Sequence, residues 1–423
     1  MTIRQLITQA PALAPEAASG AEKPKILVFT TVYPNSVQPN FGLFVRARMS
    51  RVAAELPMII VAPVAWFPFL GLLRMMKSEF RPEVPEFEIQ DGLEVYHPRF
   101  FSVPKYLKFL DGFFLAFASY KLIKKIRIRF DFDIIDSHFV FPDGHAASIL
   151  GRLFKKPYTI TLRGQIAFIS KTILRKKLAL SAMLKAAKVF SVSESLRQGA
   201  IGMGESPQHV RVIGNGVDLE NFYAEDSEIC RQRLGLSNQA KILISVGGLT
   251  ERKGFHRIIE LLPELSNKFD DLHLVIAGGP SPEGNWEDKL KRLTNDLGLV
   301  NNVHFLGPVS PEELRYVYSA GDLFVLATRM EGWANVFLEA MACGLPVITT
   351  RVGGNAEVVC SELYGKVVPY GDKLAFSQAI EESLQLPWDR KKIVSYARDN
   401  SWKMRIPILV QEFSAIMRKK EAG

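Results

Sequence analysis

Short runs of apolar residues recur along the chain, separated by longer stretches in which apolar residues return every three or four positions. Strands buried on both faces read as unbroken Val, Ile and Leu, while their covering helices show one apolar stripe, so the alternation predicts an α/β protein built on parallel, doubly wound sheets. In the first half the pattern places strands near Lys25 to Thr30, Met58 to Val61, Leu93 to Tyr96, Asp133 to Asp136, Tyr158 to Thr161 and Val189 to Val192, with helices starting near Leu43, Tyr106, His145, Thr172 and Glu194. A second series has strands at Lys241 to Val246, Leu272 to Ala277, Val303 to Phe305, Leu323 to Leu326 and Val347 to Thr349, and helices centred near Ile259, Leu290, Leu314, Leu338 and Ile380.

Two series imply two cores, because single cores rarely grow past roughly 250 to 300 residues and this chain has 423. We divide it into a disordered segment at 1–23, a first Rossmann-like domain at 24–215, a linker at 216–240 and a second Rossmann-like domain at 241–400. The linker rests on the composition shift from Ile213-Gly-Asn-Gly-Val-Asp218 to the charged run at Glu225 to Glu228. Pro11, Pro15 and the Ala, Ser and Gly around them defeat a sustained helix in the leading segment, which lacks the long apolar core of a signal peptide. The final helix, about 402–420, has an apolar face that must pack on something.

Hydrophobic content of 48% and charged content of 23% are globular values, which confines disorder to short pieces. The net charge of +9 hides an asymmetry: residues 1–216 hold 29 Lys/Arg against 16 Asp/Glu, and residues 217–423 hold 24 against 28. Twenty of the 28 Phe also lie in the first part, as in Trp66-Phe-Pro-Phe-Leu-Gly-Leu-Leu73 and Phe109-Leu-Asp-Gly-Phe-Phe-Leu-Ala-Phe117. Basic charge interleaved with large apolar groups reads as contact with an anionic membrane surface, and Lys121 to Arg129, with five basic residues in nine, would lie flat on it. A spanning helix is not expected, because Pro63, Pro68 and Gly71 interrupt the nearly uncharged stretch from Met58 to Met76. Nucleic acid is not an expected partner, since no recognition motif accompanies the charge. Cys230, Cys343 and Cys360 show no metal-type spacing, and their odd number argues against a disulfide framework and for a reducing, cytoplasmic compartment.

The candidate chemistry sits in the second half. Glu331-Gly-Trp-Ala-Asn-Val-Phe-Leu-Glu339 sets two carboxylates, separated by seven residues, around a helix start, with Glu331 on the turn and Glu339 on the first turns. Carboxylates accept hydrogen bonds only, which suits a polyhydroxylated ligand. Upstream, Val246-Gly-Gly-Leu-Thr-Glu-Arg-Lys-Gly-Phe255 lies where a strand gives way to a helix. There Gly247 and Gly248 let backbone N–H groups approach a phosphate, and Arg252 and Lys253 supply positive charge. A nucleotide diphosphate fits that description. It is not a Walker A loop, because Gly254 rather than Ser or Thr follows Lys253.

These segments resemble the glycosyltransferase family 4 type of retaining GT-B enzymes, whose signature is a Glu-x7-Glu run; Asp322 to Ala327 and Arg351 to Val359 look like the same family's neighbouring strand and loop. The resemblance implies the GT-B fold, with an acceptor-binding first domain and a nucleotide-sugar-binding second domain facing a central cleft and the last helix returning to the first domain. It implies that Glu331 contacts the transferred sugar, that Glu339 holds the ribose, and that the backbone at Trp333, Ala334 and Asn335 lines the sugar-phosphate. Lys253 inherits the diphosphate role from the family's Gly-Arg-Leu-x-x-x-Lys-Gly element. Gly248 stands in the arginine's place there, and Arg252 is the candidate substitute. His138, closing a strand, matches the active-site histidine, to which the resemblance gives a cleft-facing catalytic place. Arg163 stands where many relatives have a histidine and could pair with phosphate or an acidic sugar, and Gly42 remains from a loop where relatives often carry two glycines against the donor phosphate.

The implied reaction is transfer of a sugar from a nucleotide-diphosphate donor to an acceptor hydroxyl with retention and without a metal or cofactor. No Asp-x-Asp clamp serves the proposed diphosphate site. The acceptor is expected to be a saccharide or lipid-linked saccharide for an envelope or exported polysaccharide, on the cytoplasmic membrane face. The alternatives are a soluble transferase making a small glycoside, and a nucleotide-sugar epimerase or hydrolase of the same shape.

Overall fold

Sixteen strands carry the architecture of the described residues, which in this computed structural model are 22–68, 83–103, 106–164, 169, 172–281 and 283–421. Most of the segment read as disordered, and positions 69–76 of the apolar stretch from Met58, lie outside them. The first ten strands are β1 (Ile26–Phe29), β2 (Met58–Val61), β3 (Val64–Trp66), β4 (Phe87–Gln90), β5 (Leu93–Tyr96), β6 (Arg99–Phe101), β7 (Ile134–His138), β8 (Tyr158–Leu162), β9 (Lys188–Ser191) and β10 (Val210–Val212). Eight form one sheet in the order β10-β9-β8-β7-β1-β2-β5-β4, parallel except where β4 meets β5, and β3 pairs with β6 apart from it. The chain winds outward in both directions from β1. That opens a crevice beyond the ends of β1 and β7, the position at which doubly wound sheets bind ligands.

The second sheet comprises β11 (Lys241–Val246), β12 (Leu272–Ala277), β13 (Val303–Gly307), β14 (Leu323–Leu326), β15 (Val347–Thr350) and β16 (Gly365–Val368). Its order, β13-β12-β11-β14-β15-β16, reverses between β11 and β14, and every pairing is parallel. The register Leu243↔Leu323 and Ile244↔Phe324 sets the ends of β11 and β14 side by side. Residues 247–253 and 327–331 therefore leave the sheet as neighbours, although some eighty positions separate them.

The strands absent from the expected set are β3, β4, β6, β10 and β16, each three or four residues long. They lie at sheet edges or in the separate pair. Half-exposed edges need no continuous apolar run, so Phe87-Glu-Ile-Gln90 alternates between exposed and half-buried positions instead. The stretch read as a linker differs too, because it folds a helix, Ser227–Arg233, capped by the Asp226 carboxylate accepting from the Ile229 N–H. Buried Arg231 ties that helix to the second sheet, donating to Asp322 at 3.0 Å and to the Ala320 carbonyl at 3.1 Å.

The terminal helix, Trp402–Glu421, packs on the first sheet rather than the second. Trp402, Ile406, Leu409, Phe413 and Ile416 join Ile26, Val28, Val45, Met49 and Phe190 in one core. The Phe190 and Phe413 rings meet edge to face at 5.9 Å. Truncating Phe413, which is 1% exposed, to alanine is expected to cost about 3–5 kcal/mol in denaturant unfolding; a loss under about 1 kcal/mol would show that the helix is not part of that core.

Candidate functional site

At the seam between β11 and β14, glycine determines how closely the two loops approach. Gly254 has φ +78, and a Cβ there would lie 2.0 Å from the Ala327 carbonyl oxygen. Only a residue without a side chain lets the turn at Glu251–Lys253 rest on the loop after β14. Lys253 in turn arches over Gly247, where a Cβ would stand 3.3 Å from the lysine Cε.

The result is a buried charge cluster on Glu331. Its Oε1 accepts from Lys253 Nζ at 2.8 Å and from Arg252 Nη1 at 2.9 Å, and the Thr328 hydroxyl lies 3.2 Å away. Burial alone would push the Glu331 carboxyl upward, but Lys253 and Arg252 outweigh it and hold the group below its ordinary value. Among the described residues, every hydrogen bond to this carboxylate ends on Oε1, leaving Oε2 as the acceptor for a ligand. Arg252 is heavily committed: it forks onto Glu283 at 2.7 and 3.0 Å and donates to the Met330 carbonyl at 2.7 Å. In this arrangement it braces Glu331, and Lys253, which meets that carboxylate through a single hydrogen bond, is the freer cation.

Beyond Glu331 the chain turns into the Asn335–Ala342 helix, whose N-terminus has no side-chain cap. The Phe337 N–H donates to the Ala334 carbonyl at 3.2 Å, so the N–H groups of Asn335 and Val336 and the helix dipole are those available to an anion. Glu339 follows one turn later, accepting from the Tyr318 hydroxyl at 3.0 Å. Burial lifts its carboxyl from 4.5 to about 7, against the opposing pull of Tyr318 and Lys253. Lys253 hydrogen-bonds Glu331 directly at 2.8 Å, and its charge also opposes the rise at Glu339. Trp333 plugs the interface between the two domains, its ring sitting on Gly214, where a Cβ would be 2.7 Å from the indole.

The first domain presents a different arrangement from the one expected. His138 is not open to the cleft: it is 0% exposed, and Arg163 lies over it, donating from Nε to His138 Nδ1 at 3.1 Å. Burial, then Arg163 and Arg48, hold the imidazole well below its ordinary value, so the ring is neutral and keeps its proton on Nε2, toward Asp136. Arg163 stacks on Phe44 at 5.2 Å and reaches Asn215 at 3.4 Å; Asn215 donates to Asn335 across the domain boundary at 2.9 Å. Gly42 has a local cause, since it starts the Leu43–Ala53 helix with φ +82 and a Cβ there would be 2.7 Å from the Val32 carbonyl oxygen.

The structure thus brings Gly247, Lys253, Arg252, Glu331, Glu339 and the 333–335 turn together, joins His138 and Arg163 beneath the facing edge, and sets Gly42 two residues before Phe44, the ring on which Arg163 stacks. Gly248 packs on Ser281, with a Cβ position 2.9 Å from that side chain. Sequence reasoning missed Thr328, Glu283 and Asn215. The register of β11 with β14 reveals Thr328, the pairing of β11 with β12 brings Glu283 in the following loop to Arg252, and the closeness of the domains reveals Asn215.

Two family models match the chain: Glycosyl transferases group 1 over residues 226–400 and Glycosyltransferase Family 4 over residues 77–221. The chain is 30% identical over 393 residues to the putative teichuronic acid biosynthesis glycosyltransferase TuaC of Bacillus subtilis, covering 90% of this chain and 91% of that one. Among solved structures, a Rickettsia africae glycosyltransferase superposes with a TM-score of 0.71 at 20% identity, covering 94% of this chain and 99% of the other. The Anabaena protein HepE, solved with UDP-glucose, gives 0.64 at 18% identity over 95% and 98%. At those identities the two structures speak for the fold alone.

If the cluster is one unit, Arg252→Ala and Glu331→Ala should be strongly non-additive. The contact between the two side chains is lost in either single change and cannot be lost again in the double, so unfolding energies are expected to show a coupling of about 1–3 kcal/mol. Additivity within about 0.5 kcal/mol would mean the two side chains do not depend on each other.

Proposed function

The chain belongs to the glycosyl transferases group 1 family, a GT-B enzyme that moves a sugar from a nucleotide donor, and from that membership we propose that it acts with retention and without a metal in making an envelope or exported polysaccharide. The observation that carries the reading is the convergence at the end of β11 and β14: a lysine over a glycine turn, an uncapped helix N-terminus, and two buried carboxylates. Such a set takes a diphosphate at its cationic end and hydroxyls at its acidic end. Lys253 and the helix N-terminus would stabilise the leaving diphosphate as the bond from its oxygen to the anomeric carbon breaks. The acceptor oxygen forms the new bond on the same face, and its proton passes to the departing phosphate. No enzyme base is then required. Glu331 would orient the sugar through Oε2, Glu339 would hold the ribose diol, and His138 would support Arg163 at the facing wall.

The name of the Bacillus relative motivates the envelope polysaccharide, and the UDP-glucose in the Anabaena structure makes UDP-sugars the first donors to try. For the acceptor we favour a lipid-linked saccharide at the cytoplasmic membrane face. On the Asp111–Arg129 helix, Phe113, Phe117, Lys121, Lys124, Lys125 and Ile128 share one exposed face, with Phe117 at 64% and Ile128 at 86% exposure. Aromatic and aliphatic groups beside lysines suit anionic lipid. Among the described residues no helix is long and apolar enough to cross a membrane. Flotation with anionic vesicles at low salt, lost at high salt, is the expected result; no flotation would favour a soluble acceptor.

Screening UDP-, GDP- and ADP-sugars by thermal shift tests the donor site. Lys253→Ala is expected to weaken donor binding about tenfold or more, and Glu331→Ala to lower turnover chiefly; unchanged donor affinity in the first variant removes Lys253 from the site. Donor consumption that proceeds equally without acceptor would replace transfer by hydrolysis or epimerisation.

A pH dependence follows from Glu339. Its carboxyl is raised from 4.5 to about 7, so below about 7 the folded protein holds it protonated and short of one acceptor for the diol. Nucleotide affinity is therefore expected to rise as pH passes upward through about 7, and Glu339→Gln to flatten that rise, as read by calorimetry. The same rise in the variant would assign it to another group.

A further inference from the structure

The loop after β15 crosses from the second domain to the first. Glu357, in the short Asn355–Val358 helix, accepts at Oε2 from the Glu194 N–H at 2.5 Å and at Oε1 from the Ser195 N–H at 2.8 Å. Those N–H groups open the Glu194–Met203 helix, and the third, at Leu196, goes to the Ser193 side chain at 3.3 Å. A helix of the first domain is thus capped by a carboxylate of the second, placed where orphan donors and the helix dipole both favour negative charge.

The loop carrying Glu357 is also braced against the turn that carries Glu331. Asn355, fully buried, donates to the Thr350 carbonyl at 3.0 Å and to Thr349 Oγ1 at 3.1 Å, and the Thr350 hydroxyl donates to the Thr328 carbonyl at 2.5 Å. Gly353 has φ +48, and a Cβ there would stand 1.7 Å from the Glu331 carbonyl oxygen. One at Gly354 would stand 2.6 Å from the Gly332 carbonyl oxygen and 3.0 Å from Ser193 Cβ. Gly332 itself faces Gly164, with a Cβ position 3.1 Å from the Gly164 Cα. Four glycines therefore form a seam without side chains along which the domains touch, and Arg163 precedes the first of them.

We propose that Glu357 is a positioning residue that latches the two domains shut, seating the Arg163-Gly164 turn of the first domain against the Glu331-Gly332 turn of the second. The latch is made inside the protein and needs no donor for its own hydrogen bonds. Its link to turnover rests on the functional reading above, because the groups it aligns are those assigned to the sugar and to the facing wall. Nucleotide binding is not expected to depend on it, since Lys253 and Glu339 both belong to the second domain.

Small-angle scattering of the unliganded full chain tests the latch directly, with wild type expected to scatter as the closed form. Glu357→Gln, which leaves one acceptor oxygen, and Glu194→Pro, which deletes one donor at a helix start that tolerates proline together with the carboxylate that accepts from Arg197 and Gln198, are each expected to raise the radius of gyration. The double variant should raise it no further than the larger single effect. UDP affinity by calorimetry should stay within about twofold of wild type, while turnover of the nucleotide sugar selected by screening falls about tenfold. Unchanged scattering and turnover in both variants would overturn the latch, as would a joint fall of UDP affinity and thermal midpoint, which marks general structural damage. A wild-type chain that binds no nucleotide sugar would sink the functional reading instead, with scattering still left to judge the latch.

Discussion

The ion cluster on Glu331 is the constraint on which the rest of the site depends. Two cations from the end of β11 converge on one carboxylate oxygen from the end of β14. Bringing three charges out of water costs several kcal/mol per ion, and mutual attraction offsets this only when the geometry is good and the remaining donors are satisfied. Here Glu283 and the Met330 carbonyl take the remaining directions of Arg252. A cluster held this firmly is poor evidence for extra stability. It suits a site that keeps Lys253 in place, through one hydrogen bond to Glu331, for a ligand whose own negative charge arrives later.

That cluster needs close backbone approach, and the approach is made by glycine. Gly254 lets the cationic turn lie on the Ala327 carbonyl, Gly353 lets the crossing loop lie on the Glu331 carbonyl, and Gly332 meets Gly164 across the domain boundary. Local conformation, packing and charge are therefore one problem. The turns can carry charged side chains to a common point only because their backbones touch. The terminal helix contributes from farther away: by packing Trp402 and Phe413 on the first domain, it ties the end of the second domain's chain to the other sheet. Domain separation is then resisted at both the cleft and the back.

Much of this was legible in sequence because the parallel sheets announce themselves. Ile26 to Phe29 and Leu323 to Leu326 are fully buried strands that read as unbroken apolar runs, whereas β4 and β16, at sheet edges, do not need such runs and escaped notice. Glu331, Glu339 and Lys253 are legible through the resemblance to the family's Glu-x7-Glu run and Gly-Arg-Leu-x-x-x-Lys-Gly element; a cationic turn alone reads as an ordinary solvated turn. His138 was placed correctly at a strand end, but its cover was invisible, since nothing local says that Arg163, twenty-five positions on, would lie on its ring. The 216–240 stretch misled for a related reason. Its composition shift reads as a linker, and nothing in that composition shows that Arg231 is buried against Asp322.

A structure of the chain with UDP bound would test the central claim most directly. The account predicts the diphosphate between the Gly247 turn, Lys253 and the first N–H groups of the Asn335–Ala342 helix, with the ribose hydroxyls on Glu339. A nucleotide seated elsewhere, with Lys253 still closed on Glu331 and Glu339 still held by Tyr318 alone, would contradict it.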